Sequence, residues 1–362
     1  MYPSIMWPDR RFVELVSIDL PIIQAPMAGA NDSAMVVQVC NAGGLGSLPC
    51  AMLDADKVRS EILNIRKRTN QPFNLNFFCH TPTETDRDRE KAWKQKLAVY
   101  YEESGLDITA PVSAVNREPF NEEMCELIEE YRPEVISFHF GLPNKALFGR
   151  VRATGCKILS SATTVEEARY LEEQGCDAII AQGNEAGGHR GMFLSDNIAS
   201  QPGTFSLVPQ VADAVSVPVI AAGGISDARG IAAAFALGAS AVQIGTAYLF
   251  TPESLISDLH RAALNADGND ETMLTNVFSG KPARGLVNRV MRELGPMSEL
   301  APAFPTAGGA LAPLKAQAEA MGSADFSSLW SGQSAKLCNE MGARELTRRL
   351  GETAVTRLEF LS

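Results

Sequence analysis

One of the four histidines in this 362-residue sequence, His189, stands in the run AQGNEAGGHRG (181–191), beside four glycines and a glutamate. Imidazole titrates near neutrality and can act as a general base or as a hydrogen-bond donor. The glycines give the ring almost nothing to pack against, so it reads as presented to a ligand. The plainer alternative is a loop histidine capping a carbonyl. His80, His139 and His260 have no partner at metal-ligand spacing, and no metal site is expected. Gly-x-Ser-x-Gly and Cys/His nucleophile signatures are absent. The seven cysteines include no CxxC pair and read as reduced core thiols of a cytoplasmic protein.

The elements that must position this loop are legible as short apolar runs. They fall at 21–27, 44–50, 73–79, 135–141, 157–163, 178–183, 217–224 and 241–249. Their near-continuous apolarity suits parallel strands covered on both faces. Amphipathic segments lie between them. In TTVEEARYLEEQG, Thr164 caps a helix, Glu167 reaches back as a capping box, and Gly175 closes it. SDARGIAAAFALG repeats the plan from Ser226 to Gly238, so segments 160–183 and 223–246 form an internal βαβ repeat. The fold class predicted is α/β, a (β/α)8 TIM barrel with an additional C-terminal helical cap. A doubly wound open sheet is the competing arrangement.

The barrel is expected over 1–255 and completed by 335–362, with a last helix near 336–350. Residues 256–334 are expected to form the helical substrate cap, and the charged connection 80–134 to add a helix. The uncharged stretch 230–250 is interrupted by LGAS and reads as a helix and a buried strand, not a membrane span. The start of the chain has no apolar signal core. A net charge of −11 argues against a nucleic-acid partner.

In such a barrel the chemistry sits at the C-terminal strand ends. Those ends carry Ala25, Pro26 and Met27, then Asn76, His139, Gln182 to Gly191, Gly223 and Gly224, and Gln243 to Thr246. The last two loops are the usual phosphate site of the fold, where glycine lets backbone N–H groups approach oxygens. Tight turns are the bland alternative. Asn76, Gln182 and Gln243 offer amides to a flat ring with polar edges. Glu185 reads as loop-shaping, His139 and Phe77 as either core or pocket, and Lys281, Arg284, Arg289 and Arg292 as a solvated basic face. The AGGLGS run at 42–47 leads into a strand, where a dinucleotide glycine motif would follow one.

In their order, PIIQAPMAG, AGGLGSL, NFFC, SFHFGLP, AQGNEAGGHRG, LVPQVADAV, PVIAAGGISDARG and GASAVQIGTAYL resemble the nitronate monooxygenase family, formerly 2-nitropropane dioxygenases. FSGKPARGLVNR and WSGQSAKL extend the resemblance over most of the chain. The resemblance implies FMN as cofactor. It places Asn76 and Gln182 as flavin-binding amides and Ala25, Pro26 and Met27 at the isoalloxazine edge. Gly187, Gly188, Gly223, Gly224, Gln243, Ile244, Gly245 and Thr246 would supply the remaining flavin and phosphate contacts, with Gln333 a further one. His189 matches the catalytic histidine; His139 and Phe77, by their strand-end positions and not by the resemblance, are the candidates to face substrate.

The implied reaction is oxidation of an alkyl nitronate, or a nitroalkane, by dioxygen to a carbonyl compound and nitrite. His189 would act as base or only orient the anion. The AGGH loop is shared with FMN-dependent enoyl-acyl-carrier-protein reductases, so an NAD(P)H-dependent enoyl or quinone reductase is the first alternative. A non-catalytic barrel holding a phosphorylated ligand is the second. A monomer or homodimer is expected, with no nucleic acid or membrane as partner.

Overall fold

The computed structural model describes residues 7–84, 86–111, 117–266 and 271–361. Eleven strands occur among them. They are β1 (Ile22–Gln24), β2 (Gly46–Pro49), β3 (Phe73–Phe78), β4 (Val135–His139), β5 (Lys157–Ala162), β6 (Ala178–Gln182), β7 (Gly188–His189), β8 (Val219–Ala222), β9 (Ala241–Ile244), β10 (Thr272–Thr275) and β11 (Ala283–Leu286). Each of the eight apolar runs contains a barrel strand. These strands pair in parallel in the order β1-β9-β8-β6-β5-β4-β3-β2, and an Ile23–Leu45 bridge joins the two ends into a TIM barrel.

Burial on both faces explains the unbroken apolarity. Ile23, Val135, Leu159, Ala178, Ile180, Ile220 and Ala241 fill the barrel interior together with Phe12, Val13 and Val16 of the helix Arg11–Val16. Several of these residues open their strands, so the helix plugs the end away from the strand C-termini. Alternate residues such as Ile22, Leu75, Ile136 and Ile158 face the surrounding helices.

Two helix caps differ in detail from expectation. Asp227, not Ser226, caps Ala228–Ala236, its carboxylate accepting from Arg229 N and Gly230 N. The Ser226 hydroxyl instead hydrogen-bonds Ser334 Oγ at 2.7 Å. Thr164 does cap its helix, through Glu167 N at 3.2 Å. Glu167 reaches one residue further back than a capping box requires, accepting from Thr163 N and Oγ1, both at 2.6 Å. Its other oxygen accepts from Phe193 N at 2.7 Å and Leu194 N at 3.2 Å, tying a later loop to this helix. Because the carboxylate is buried, Glu167→Ala strands several donors at once and is expected to lower stability by about 3 kcal/mol. Urea unfolding tests this, and an unchanged midpoint would contradict it.

The C-terminal region contains the expected helices and a sheet that local pattern did not announce. β10 and β11 form an antiparallel pair, and β7 joins β11 through Ala283–His189 and Arg284–Gly188. The connection 80–134 supplies helices Arg87–Lys96, Ala98–Glu103 and Glu122–Tyr131. The first two join the cap core. Trp93 Nε1 donates to Ala307 O at 3.0 Å and Tyr101 Oη to Ala310 O at 2.6 Å.

The last helix spans Ala343–Leu361 and not 336–350, its start set by Glu253 Oε2 accepting from Ala343 N at 3.0 Å. Its apolar stripe, Ala343, Leu346, Leu350 and Ala354, returns to the main core. No helix among the described residues is long and apolar enough to cross a membrane.

Candidate active site

The C-terminal ends of the barrel strands open into a cavity of about 510 Å³. Ala25, Pro26 and Met27 line it from the end of β1, Asn76 from β3, His139 from β4 and Gln182 from β6. Gly187, Gly188 and His189 form one wall, and Gly223, Gly224, Gln243, Gly245 and Thr246 another. Three expected site residues lie elsewhere. Ile244 is buried in the core outside the barrel. Phe77 packs edge-on against Phe120 at 5.0 Å, because alternate strand residues face opposite ways and Phe78 takes the cavity side. The Gln333 side chain is exposed, while its backbone N donates to Glu185 O at 3.1 Å and holds the neighbouring Gly332 against the cavity.

The glycine-rich loop after β6 is tightly anchored, contrary to its loose appearance in sequence. Gln182 Nε2 donates to His189 O at 2.9 Å, and Gln182 Oε1 accepts from Gly191 N at 2.7 Å. Arg190 is fully buried, giving Nε to Gln201 Oε1 at 2.7 Å and Nη2 to Gln182 O at 2.7 Å. Arg284 Nε donates to Asn184 O at 2.8 Å from β11. The predicted solvated basic face is therefore dispersed: Arg284 is buried, Arg289 pairs with Glu103 and Glu293, Lys281 is half-buried, and Arg292 is exposed. Glu185 shapes the loop as expected, accepting from Thr204 N at 2.7 Å and Thr204 Oγ1 at 2.9 Å.

His189 is held from two sides. Its carbonyl also faces His139 Nε2 at 3.3 Å, and a carbonyl can only accept, so His139 carries its proton there. His139 Nδ1 then accepts from Ser161 Oγ at 3.0 Å. Burial pushes His139 down to about 4, keeping it neutral.

The His189 ring places Nε2 2.8 Å from Ser279 Oγ. Ser279 in turn donates to Lys281 O at 3.2 Å, so its single proton is engaged. His189 Nε2 must then donate, which fixes the tautomer and leaves Nδ1 with a free lone pair. Ser279 was invisible to sequence reasoning, since nothing local couples positions ninety residues apart.

The ring is surrounded by Phe140, Phe304 and Trp330, with centroids 5.5–6.0 Å away. Burial, reinforced by Arg117, His139, Lys281 and His80, holds the His189 pKa well below the ordinary imidazole value. The arrangement presents a neutral base on an apolar wall.

The opposite wall is built from backbone. Gly223 and Gly224 have φ of +112° and +71°, values that disfavour side chains. The amides of Gly224 and Thr246 have no acceptor among the described residues. Thr246 Oγ1 accepts from Gly332 N at 2.9 Å, joining the strap 331–334 to this wall. Such donors suit an anion. Asn76 gives Nδ2 to Ser137 Oγ at 2.9 Å and keeps its carbonyl oxygen available. Among the described residues no cluster of His, Cys, Asp or Glu could hold a metal ion.

With this geometry established, the likenesses to known proteins fall into place. A family model described as nitronate monooxygenase matches residues 9–352. The chain is 43% identical to a nitronate monooxygenase of Pseudomonas aeruginosa, covering 94% of this chain and 98% of that protein. It is 41% identical to one from Paraburkholderia phytofirmans, covering 97% of each. Among solved structures, a nitroalkane oxidase from Streptomyces ansochromogenes superposes with a TM-score of 0.88 at 37% identity, covering 97% of this chain and all of that one. FabK from Thermotoga maritima superposes with a TM-score of 0.72 at 27% identity, covering 98% of this chain and 99% of that one.

Proposed function

The chain belongs to the nitronate monooxygenase family and is an oxidoreductase, and from that premise we propose that it is an FMN-dependent enzyme oxidising alkyl nitronates and nitroalkanes with dioxygen to carbonyl compounds and nitrite. The observation that carries this reading is the neutral His189, with Nδ1 free, on the wall of a cavity whose other wall offers unengaged amides and glycine.

The residues present fit FMN. A cavity of about 510 Å³ is of the size that takes a cofactor or small ligand. The amides of Gly224 and Thr246 would hold the phosphate. Asn76, Gln243 and the backbone of Ala25 to Met27 would meet the polar edges of the ring. At Gly245 an added Cβ would stand at ordinary contact distance, 3.5 Å from Ala25 Cβ and 3.7 Å from Met27 Sδ, so internal packing does not demand glycine there and a ligand in the cavity would account for it. FMN, when bound, supplies the electron acceptor for the substrate and the route to dioxygen.

The protein's own part is protonic and positional. With a neutral nitroalkane, His189 Nδ1 takes the proton from the carbon α to the nitro group. With a nitronate that proton is already gone, and the Nδ1 lone pair has no proton to take. Phe78 and Trp330, which line the cavity, restrict water at this point.

The test is anaerobic mixing of the FMN-loaded protein with a nitronate. Bleaching of the flavin absorbance, followed by nitrite release and oxygen uptake when air is admitted, is the expected result. Bleaching by NADH or NADPH with turnover of an enoyl thioester or quinone, and none by nitronate, would instead make it a reductase. A protein unable to take up FMN would revert to a non-catalytic phosphate-binding barrel.

A further inference from the structure

Arg117 is a cation that has no counter-charge among the described residues. It lines the cavity, yet among the described residues it makes no ion pair. Its Nε is buried and has no hydrogen-bond partner. The guanidinium lies over the Phe304 ring at 5.7 Å, and the same ring packs edge-on against His189 at 5.5 Å. Lys281, with Nζ 5.0 Å from the Phe140 ring, adds a second positive charge, and no carboxylate forms an ion pair with it among the described residues.

A part-buried guanidinium whose Nε is enclosed and unpartnered, set among neutral histidines, is unfavourable for the fold itself. Its burial is relieved only when something negative enters the cavity. Arginine remains charged even where burial lowers its pKa, and its planar fork suits a pair of oxygens.

We propose that Arg117 is a specificity-determining residue that grips the anionic oxygens of the substrate and selects the nitronate over the neutral nitroalkane. This deepens, and rests on, the nitronate reading. A neutral nitro compound gains little from the charge, while a nitronate gains a charge-assisted contact in a site lined by aromatic rings.

The experiment uses the FMN-loaded protein and Arg117→Met, which keeps an apolar stem over Phe304. The KM for a nitronate should rise roughly 30-fold, a loss of the kind seen when one partner of a buried charge pair is truncated, with the nitroalkane KM within about twofold. Nitrate, a planar oxyanion that is not oxidised, serves as a separate probe in calorimetric titration. The wild type should bind it, Arg117→Met should weaken it by at least about tenfold, and Arg117→Lys should restore part of the affinity. Cooperative unfolding at or above the wild-type midpoint establishes that both variants are folded.

Nitrate binding unchanged in Arg117→Met would overturn the proposal, as would equal KM increases for nitronate and nitroalkane. A wild type that releases no nitrite from nitronate removes the function reading, while the nitrate comparison still decides whether Arg117 is an anion site.

Discussion

His189→Asn is expected to reduce kcat/KM for a neutral nitroalkane by roughly 10²- to 10⁴-fold, the usual worth of a general base. Nitronate oxidation should fall by less than about tenfold, because no proton has to be removed in that reaction. Asparagine places an amide near the Nδ1 position and is too short to reach Ser279 Oγ, so the basic lone pair is lost, while the loop stays anchored through the residue's own carbonyl to Gln182 Nε2 and His139 Nε2. Nitrite release from the two substrates, measured side by side, separates the roles. Equal losses would mean that His189 does not act as the base.

The same prediction has a pH signature. Arg117, His139, Lys281 and His80 surround the ring and, with burial, hold its pKa below the ordinary value. The base is therefore already deprotonated at pH 6.5 and stays so as pH falls further. Nitroalkane turnover should be flat through neutrality and decline only in acid, as the lowered pKa is crossed. His139 and His80, each depressed to about 4, remain neutral over the same range and add no step near 6.5. An acid limb centred at or above 6.5 would contradict this placement of the ring.

Gly187→Ala is expected to deplete bound FMN by at least about tenfold and to lower stability by about 1–3 kcal/mol, the range for overpacking a close contact. A Cβ at this position would stand 2.5 Å from Gly332 N and 2.6 Å from Ser331 C. Both are backbone atoms, so neither can swing aside. The strap 331–334 would have to withdraw, breaking the Gly332 N to Thr246 Oγ1 bond on the wall assigned to the phosphate.

Gly149→Ala is the control. It lies in the helix Lys145–Ala153 with nothing within 4 Å of the added carbon. There the substitution should stabilise slightly, by about 0.5–1 kcal/mol, and leave FMN content alone. Flavin absorbance per chain and thermal unfolding measure both effects. A yellow, fully loaded Gly187→Ala protein would show that the close approach of the two loops is dispensable.

Much of this protein could be read along the chain because the relevant signals are local. A strand buried on both faces needs an unbroken apolar run, and a helix between strands needs its cap, stripe and stop within a dozen residues. The order of eight such units leaves few topologies, and the barrel places every strand end on one face. Hence Asn76, Gln182 and His189 could be assigned together to one end of the barrel from the sequence, while His139 stayed open between core and pocket.

Alternation at the end of β3 was the finest detail to escape, turning Phe77 outward and Phe78 inward. A one-residue difference in register is enough to exchange them. The larger omissions are all contacts between distant segments. β7 exists because Ala283 and Arg284 of β11 pair with two residues that have no strand pattern of their own. Ser279 sets the His189 tautomer from ninety residues away, and Arg117 reaches Phe304 across an even longer separation.

Composition and periodicity were thus sufficient for the barrel, for the glycine walls and for the histidine's address. The charge state of that histidine, the free nitrogen it presents and the unpaired cation nearby came from burial and from partners brought in by the fold. Both depend on which chemical groups surround a ring in space, and neighbours in sequence supply almost none of them here.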